Sequence, residues 1–169
     1  VLETDPNDTT AINSLERLFI DLERWADLKD IFARKVDLAQ TVEDKKRVLN
    51  QMGEVYETKL NDIEHAIETY SGILDLDPTD WTAISALDHL YLTAQRWYDL
   101  LQILEREVEL SGTGGETVVF KYRIGELYQT QLKDMAQAVE SYRQALELDS
   151  THEPTLAALD GIVHGAEEP

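Results

Sequence analysis

Residues 53–78 read GEVYETKLNDIEHAIETYSGILDLDP, and residues 125–150 read GELYQTQLKDMAQAVESYRQALELDS. The two stretches place a Gly, a Tyr three residues on, an Ala and a second Tyr in the same order, 72 residues apart. The same offset relates Leu74-Asp75-Leu76-Asp77-Pro78-Thr79-Asp80 to Leu2-Glu3-Thr4-Asp5-Pro6-Asn7-Asp8. It also relates Arg96-Trp97-Tyr98-Asp99-Leu100 to Arg24-Trp25-Ala26-Asp27-Leu28. Aligned without gaps, residues 1–72 and 73–144 share 27 identities. A fixed internal period is the mark of a repeat architecture. Seventy-two residues are too many for one helical hairpin and suit two.

Each half carries helical periodicity. Ile12, Leu15, Leu18, Phe19 and Leu22 follow the i, i+3, i+4 spacing of an apolar helical stripe. Leu28, Ile31, Phe32 and Val36 continue on a second helix, Leu49, Met52, Val55 and Tyr56 on a third, and Ile63, Ala66, Ile67, Tyr70, Ile73 and Leu74 on a fourth. Breaks fall between them. Asp8 and Asp80 suit N-caps, where a carboxylate accepts from the orphan N–H groups of a helix start. Asn61 with Glu64 fits a capping box. Pro6 and Pro78 end what precedes them, and Ser111-Gly112-Thr113-Gly114-Gly115 is a loose loop. The expected architecture is all-α: an α-α superhelix, or solenoid, of four antiparallel hairpins at about 9–40, 44–76, 80–111 and 117–148. A terminal helix at about 154–164 starts a partial fifth unit, all within one repeat domain over 1–169. Residues 1–7 read as the tail of a preceding unit. The chain starts at Val1 rather than Met, which suggests a segment of something longer.

Composition narrows the function. Hydrophobic residues at 43% can build a core, so global disorder is excluded. Fifteen Lys and Arg against 34 Asp and Glu give a formal charge of −19. Such a surface repels phosphate backbones and anionic headgroups, so neither nucleic acid nor membrane is an expected partner. It attracts basic protein segments, with strong salt dependence. There is no Cys, which excludes disulfides, thiolate zinc sites and Cys nucleophiles. No apolar run approaches the roughly 20 residues that span a bilayer, no signal peptide is visible, and a cytoplasmic location is expected.

The second and fourth hairpins resemble tetratricopeptide repeats. Gly53, Tyr56, Ala66, Tyr70 and Pro78 match that family's pattern, as do Gly125, Tyr128, Ala138, Tyr142 and Ala145, with Ser150 in place of the Pro. The Gly-to-Ala spacing is 13, one more than the family norm, so an expanded turn is expected between the helices. The first and third hairpins depart from the pattern, with Glu16 and Asp88 at the Gly position and Leu28 and Leu100 at the first Ala position. The resemblance implies a right-handed superhelix whose concave surface is lined by the first helix of each hairpin. The family's concave positions fall here on Thr10, Asn13, Arg17 and Ile20; on Arg47, Asn50, Glu54 and Glu57; on Thr82, Ser85, His89 and Leu92; and on Val119, Tyr122, Glu126 and Gln129. Of these, Asn13, Arg17, Arg47, Asn50, Glu54, Ser85, His89, Tyr122 and Glu126 are the expected partner-binding residues, with Tyr122 as a candidate hot spot. Some members hold a peptide's terminal carboxylate with Lys, Asn and Arg. Asn13, Arg17, Thr82 and Ala86 stand at those positions here and do not reproduce that clamp.

Other motifs carry less. Asp75-x-Asp77-x-Thr79-Asp80 resembles a calcium loop but lacks its Gly and closing Glu. The Gly-rich loop after residue 111 follows a helix and precedes no Lys, unlike a phosphate cradle. His65, His89, His152 and His164 are scattered without metal-ligand spacing. The many carboxylates read as solvated faces and caps. No catalytic residue, cofactor or metal is expected, and the protein is not read as an enzyme. Trp25 and Trp97, each preceded by Arg, read as structural residues of the intra-hairpin turn, with an exposed aromatic ridge as the alternative.

Two functions remain. One is a scaffold binding a protein or peptide, of basic character, on the concave groove. The other is a structural spacer in a longer array, self-associating through uncapped ends where Leu156, Leu159, Ile162 and Val163 lie.

Overall fold

Five helices start where a side chain accepts from the first-turn N–H groups, as helix physics requires. Asp8 accepts from Thr10 and Ala11, Thr41 from Asp44, Asp62 from His65, Asp80 from Ala83, and Asp134 from Gln137. The computed structural model describes residues 7–165. Among them lie α1 (Thr9–Asp21), α2 (Trp25–Leu38), α3 (Val42–Thr58), α4 (Ile63–Leu76), α5 (Trp81–Thr93), α6 (Trp97–Ser111), α7 (Gly115–Leu127), α8 (Met135–Leu148) and α9 (Glu153–Gly165), and no strand. The helix boundaries fall within a few residues of those read from periodicity. Pro6 and most of the expected tail at 1–7 lie outside the described residues.

Asn61 does not cap α4. It sits at φ 51°, in the left-handed region, and Asp62 takes the cap. The extra residue of the turn explains the shift. Leu60 N–H reaches back five residues to the Val55 carbonyl, and Asp62 N–H bonds the Tyr56 carbonyl. The repeat does the same: α7 runs on as one π-helical turn, Tyr128–Leu132, Lys133 takes φ 57°, and Asp134 caps α8. An inserted residue is absorbed by such wide bonds, so the expanded turn read from the 13-residue spacing is present. The loop after α6 is short, with Gly112 at φ 70°.

The chain divides within α5, between Leu90 and Tyr91, into two compact units. In the first, α1 packs on α2, α2 on α3 and α3 on α4. Leu28, Phe32 and Val48 form one buried cluster there, with Phe19, Trp25 and Met52 against it. In the second, α6 packs on α7, α7 on α8 and α8 on α9. Leu104, Leu127, Ala138, Tyr142 and Ala145 are buried there.

The two repeated glycines each take a tyrosine ring of the following helix against their backbone. A Cβ on Gly53 would lie 2.7 Å from Tyr70 Cζ, and one on Gly125 would lie 2.5 Å from Tyr142 Cε1. Each tyrosine ring therefore rests on bare backbone, which is the packing reason for a small residue at this position.

Candidate functional site

In the first unit, one face of α3 presents Glu43, Lys46, Arg47, Asn50 and Glu54 at helical spacing. With Tyr70 from α4 and Asp80 and Thr82 at the start of α5, they line an open cleft of about 540 Å³. Lys46 anchors it. Its Nζ lies 2.6 Å from Asp77 Oδ2 and 2.8 Å from Asp80 Oδ2. The bridge ties α3 to the α4–α5 turn. The Lys46 ammonium holds the Asp77 carboxyl down to about 2, helped by the Thr79 hydroxyl and N–H, and the same two carboxylates hold Lys46 above the usual lysine range. Two carboxylates of the calcium-like run, Asp77 and Asp80, are thus engaged by an ammonium and by backbone N–H groups.

Around this anchor the side chains differ in freedom. Arg47 is exposed and pairs with Asp44 at 2.6 Å. Glu54 is exposed. Burial pushes the Tyr70 hydroxyl up to about 12, with Glu57 and Glu54 adding to the rise. Asn50 is half-buried, and its Oδ1 is fully buried without a hydrogen-bond partner. A buried acceptor left unpaired costs free energy.

Arg47, Asn50 and Glu54, expected on one surface, therefore share this cleft. Asn13 lines a neighbouring cleft of about 260 Å³ that also includes Arg47. Arg17, Ser85 and His89 are exposed on α1 and α5. In the second unit, Glu126 is exposed and Tyr122 is half-buried. Tyr122 packs 5.8 Å from Tyr142 and 5.6 Å from His152, ring centroid to centroid. The repeat offset places Asn50, Tyr70 and Asp80 where Tyr122, Tyr142 and His152 stand. The aromatic cluster of one unit is a polar cleft in the other. Lys46 has Val118 as its counterpart, so the anchor is not repeated and was missed from sequence.

The Arg-Trp pairs are structural at their arginines. Arg24 and Arg96 each bond an aspartate three residues on at 2.7 Å, and stack over Phe19 and Tyr91. Among the described residues no cluster of three His, Asp or Glu is placed to hold a metal, and no helix is long and apolar enough to cross a membrane.

Hairpins, repeated close-packed glycines and a cleft on the first helix of a hairpin define an all-α helical-repeat protein. A sequence model of the tetratricopeptide repeat matches residues 46–80 and 120–152. No curated protein matches the sequence. Among solved structures, the chain is similar to YrrB, described as a TPR protein with an unusual peptide-binding site, at 18% identity and TM-score 0.55, over 94% of this chain and 78% of that one. It is similar to MamA at 18% identity and TM-score 0.56, over 89% of this chain and 78% of that one. The chain has the all-α helical-repeat fold of these structures, and two of its stretches match the tetratricopeptide repeat.

Proposed function

We propose that this protein is an interaction scaffold whose α3 cleft holds a segment of a partner protein or peptide. The observation that carries the reading is the buried, unpaired Asn50 Oδ1 in a cleft already ordered by the Lys46 bridge. A turn of the half-buried Asn50 side chain toward the cleft would present this acceptor to a backbone or side-chain N–H of the partner. The exposed Arg47 and Glu54 on the same face would select its charges. The likeness of fold to YrrB, a protein described as having a peptide-binding site, supports the same reading. The overall charge of −19 favours a basic partner.

The test is selection of binders from a displayed peptide library, followed by calorimetric titration of the selected peptide. Arg47→Glu and Asn50→Leu are expected to weaken binding by about tenfold or more, which is about 1.4 kcal/mol or more. The melting temperature of Arg47→Glu should stay near that of the parent, since Arg47 is a surface residue. Loss of stability in proportion to loss of binding would refute the assignment. The second reading, a self-associating spacer, draws on Leu156 and Val163, exposed on α9. A strictly monomeric species at high concentration by light scattering counts against it.

A further inference from the structure

The two units differ at one place where the first covers an aromatic ring with its own cation. Lys59, at the end of α3, places its Nζ 5.3 Å from the centroid of the Trp25 ring. Trp25 in turn packs on the Leu28–Phe32–Val48 cluster. Seventy-two residues on, Trp97 takes the place of Trp25, Leu104 that of Phe32, and Gln131 that of Lys59. A shorter neutral amide replaces the cation and a smaller aliphatic side chain replaces the phenyl ring. Both changes leave room. An open groove of about 400 Å³ lies there, with Leu92, Trp97, Leu104 and Leu127 in its walls and Glu126 and Gln131 beside them.

The charges around the groove favour a cation. Glu126 is exposed, and its carboxylate forms no ion pair among the described residues. Arg123 also lines the groove, and its guanidinium lies 3.9 Å from the buried Glu107 carboxylate. From residue 91 to 169 the sequence holds fourteen acidic and six basic side chains. A long cationic side chain can lay its methylenes on apolar walls while its head meets an indole face and a carboxylate.

We propose that this groove seats a lysine or arginine side chain from a basic segment of a partner protein, in the way that Lys59 occupies the matching place on Trp25. The aliphatic stem rests against Leu92 and Leu127, and the charged head lies over Trp97 beside Glu126. The seat lies wholly in the second unit and does not rest on the α3 cleft being a peptide site.

The experiment titrates three blocked tripeptides, Ac-Ala-Lys-Ala-NH2, Ac-Ala-Arg-Ala-NH2 and the neutral norleucine analogue, into the isotopically labelled chain. The readout is the Trp97 indole N–H resonance, assigned with Trp97→Phe. The lysine and arginine peptides should shift it saturably with a Kd on the order of millimolar, and norleucine should bind at least about threefold more weakly. The Trp25 indole should not move. Gln131→Lys should fill the seat with the chain's own lysine and weaken probe binding by about tenfold. Glu126→Gln, a change at an exposed side chain, should weaken it by about threefold and gives the answer should Gln131→Lys fail to fold. No Trp97 shift, equal binding of norleucine, or full-strength binding by Glu126→Gln would overturn the proposal.

Discussion

Replacing Gly125 by alanine sets two effects of opposite sign against each other. In the interior of an exposed helix, Gly→Ala stabilises by about 1 kcal/mol, because alanine has less backbone freedom to lose. At Gly125 the added Cβ would stand 2.5 Å from Cε1 and 2.6 Å from Cδ1 of Tyr142. That ring cannot swing aside cheaply. It is only 1% exposed, and its hydroxyl donates to Gln129 Oε1 at 2.7 Å. Overpacking of a close-packed core costs about 1–3 kcal/mol, and a contact this short belongs at the upper end. The net expectation is destabilisation by about 1–2 kcal/mol, or a melting temperature lower by about 2–8 °C for a chain of this size. Gly72, inside α4, supplies the control, because nothing lies within 4 Å of a Cβ built there. Gly72→Ala should raise stability by up to about 1 kcal/mol. Urea denaturation followed by circular dichroism measures both. Equal stabilisation by the two substitutions would refute the close approach of α7 and α8, and with it the packing account of the repeat.

Further expectations follow from the same structure. Lys46→Met should lower the melting point at pH 7, because it strands Asp77 and Asp80. The Asp77 carboxyl is held down to about 2, below its ordinary value of about 3.9, so its contribution is present above about pH 4 and fades as pH falls toward 2. The gap between parent and variant should accordingly close in a pH series of thermal melts between 7 and 2, and a constant gap would contradict the bridge. Gln95, at φ 56°, carries the strain of a left-handed non-glycine residue; Gln95→Gly should stabilise by about 0.5–1 kcal/mol in urea denaturation. Leu28→Ala, at a fully buried site, should cost about 2–5 kcal/mol by the same assay.

The helices were legible because the chain repeats its own pattern. Asp8 and Asp80 cap as their positions imply, and Gly53 and Gly125 meet tyrosines because the small residue and the ring recur together. The choice between Asn61 and Asp62 as a cap was not legible. Both residue types cap well; every hairpin turn puts one residue in the left-handed region (Glu23, Asn61, Gln95 and Lys133), and the extra residue moves that position onto Asn61 and the cap onto Asp62. The Lys46 bridge was hidden for a different reason. It joins residues 31 and 34 positions apart, and the repeat has Val118 where Lys46 stands, so comparing the halves conceals it. Tyr122 illustrates the limit of carrying positions over from a family. Its position gave no sign that His152, thirty residues on, would pack against it.

The central claim is that α3 binds a partner segment through the face of Arg47, Asn50 and Glu54. Nuclear magnetic resonance of the labelled chain with a selected peptide tests it most directly. The account predicts that the Asn50 side-chain amide and the backbone amides of Arg47 and Glu54 shift together on titration. Shifts confined to the exposed face of α4 around Glu64 and Glu68, with the Asn50 amide unmoved, would contradict it.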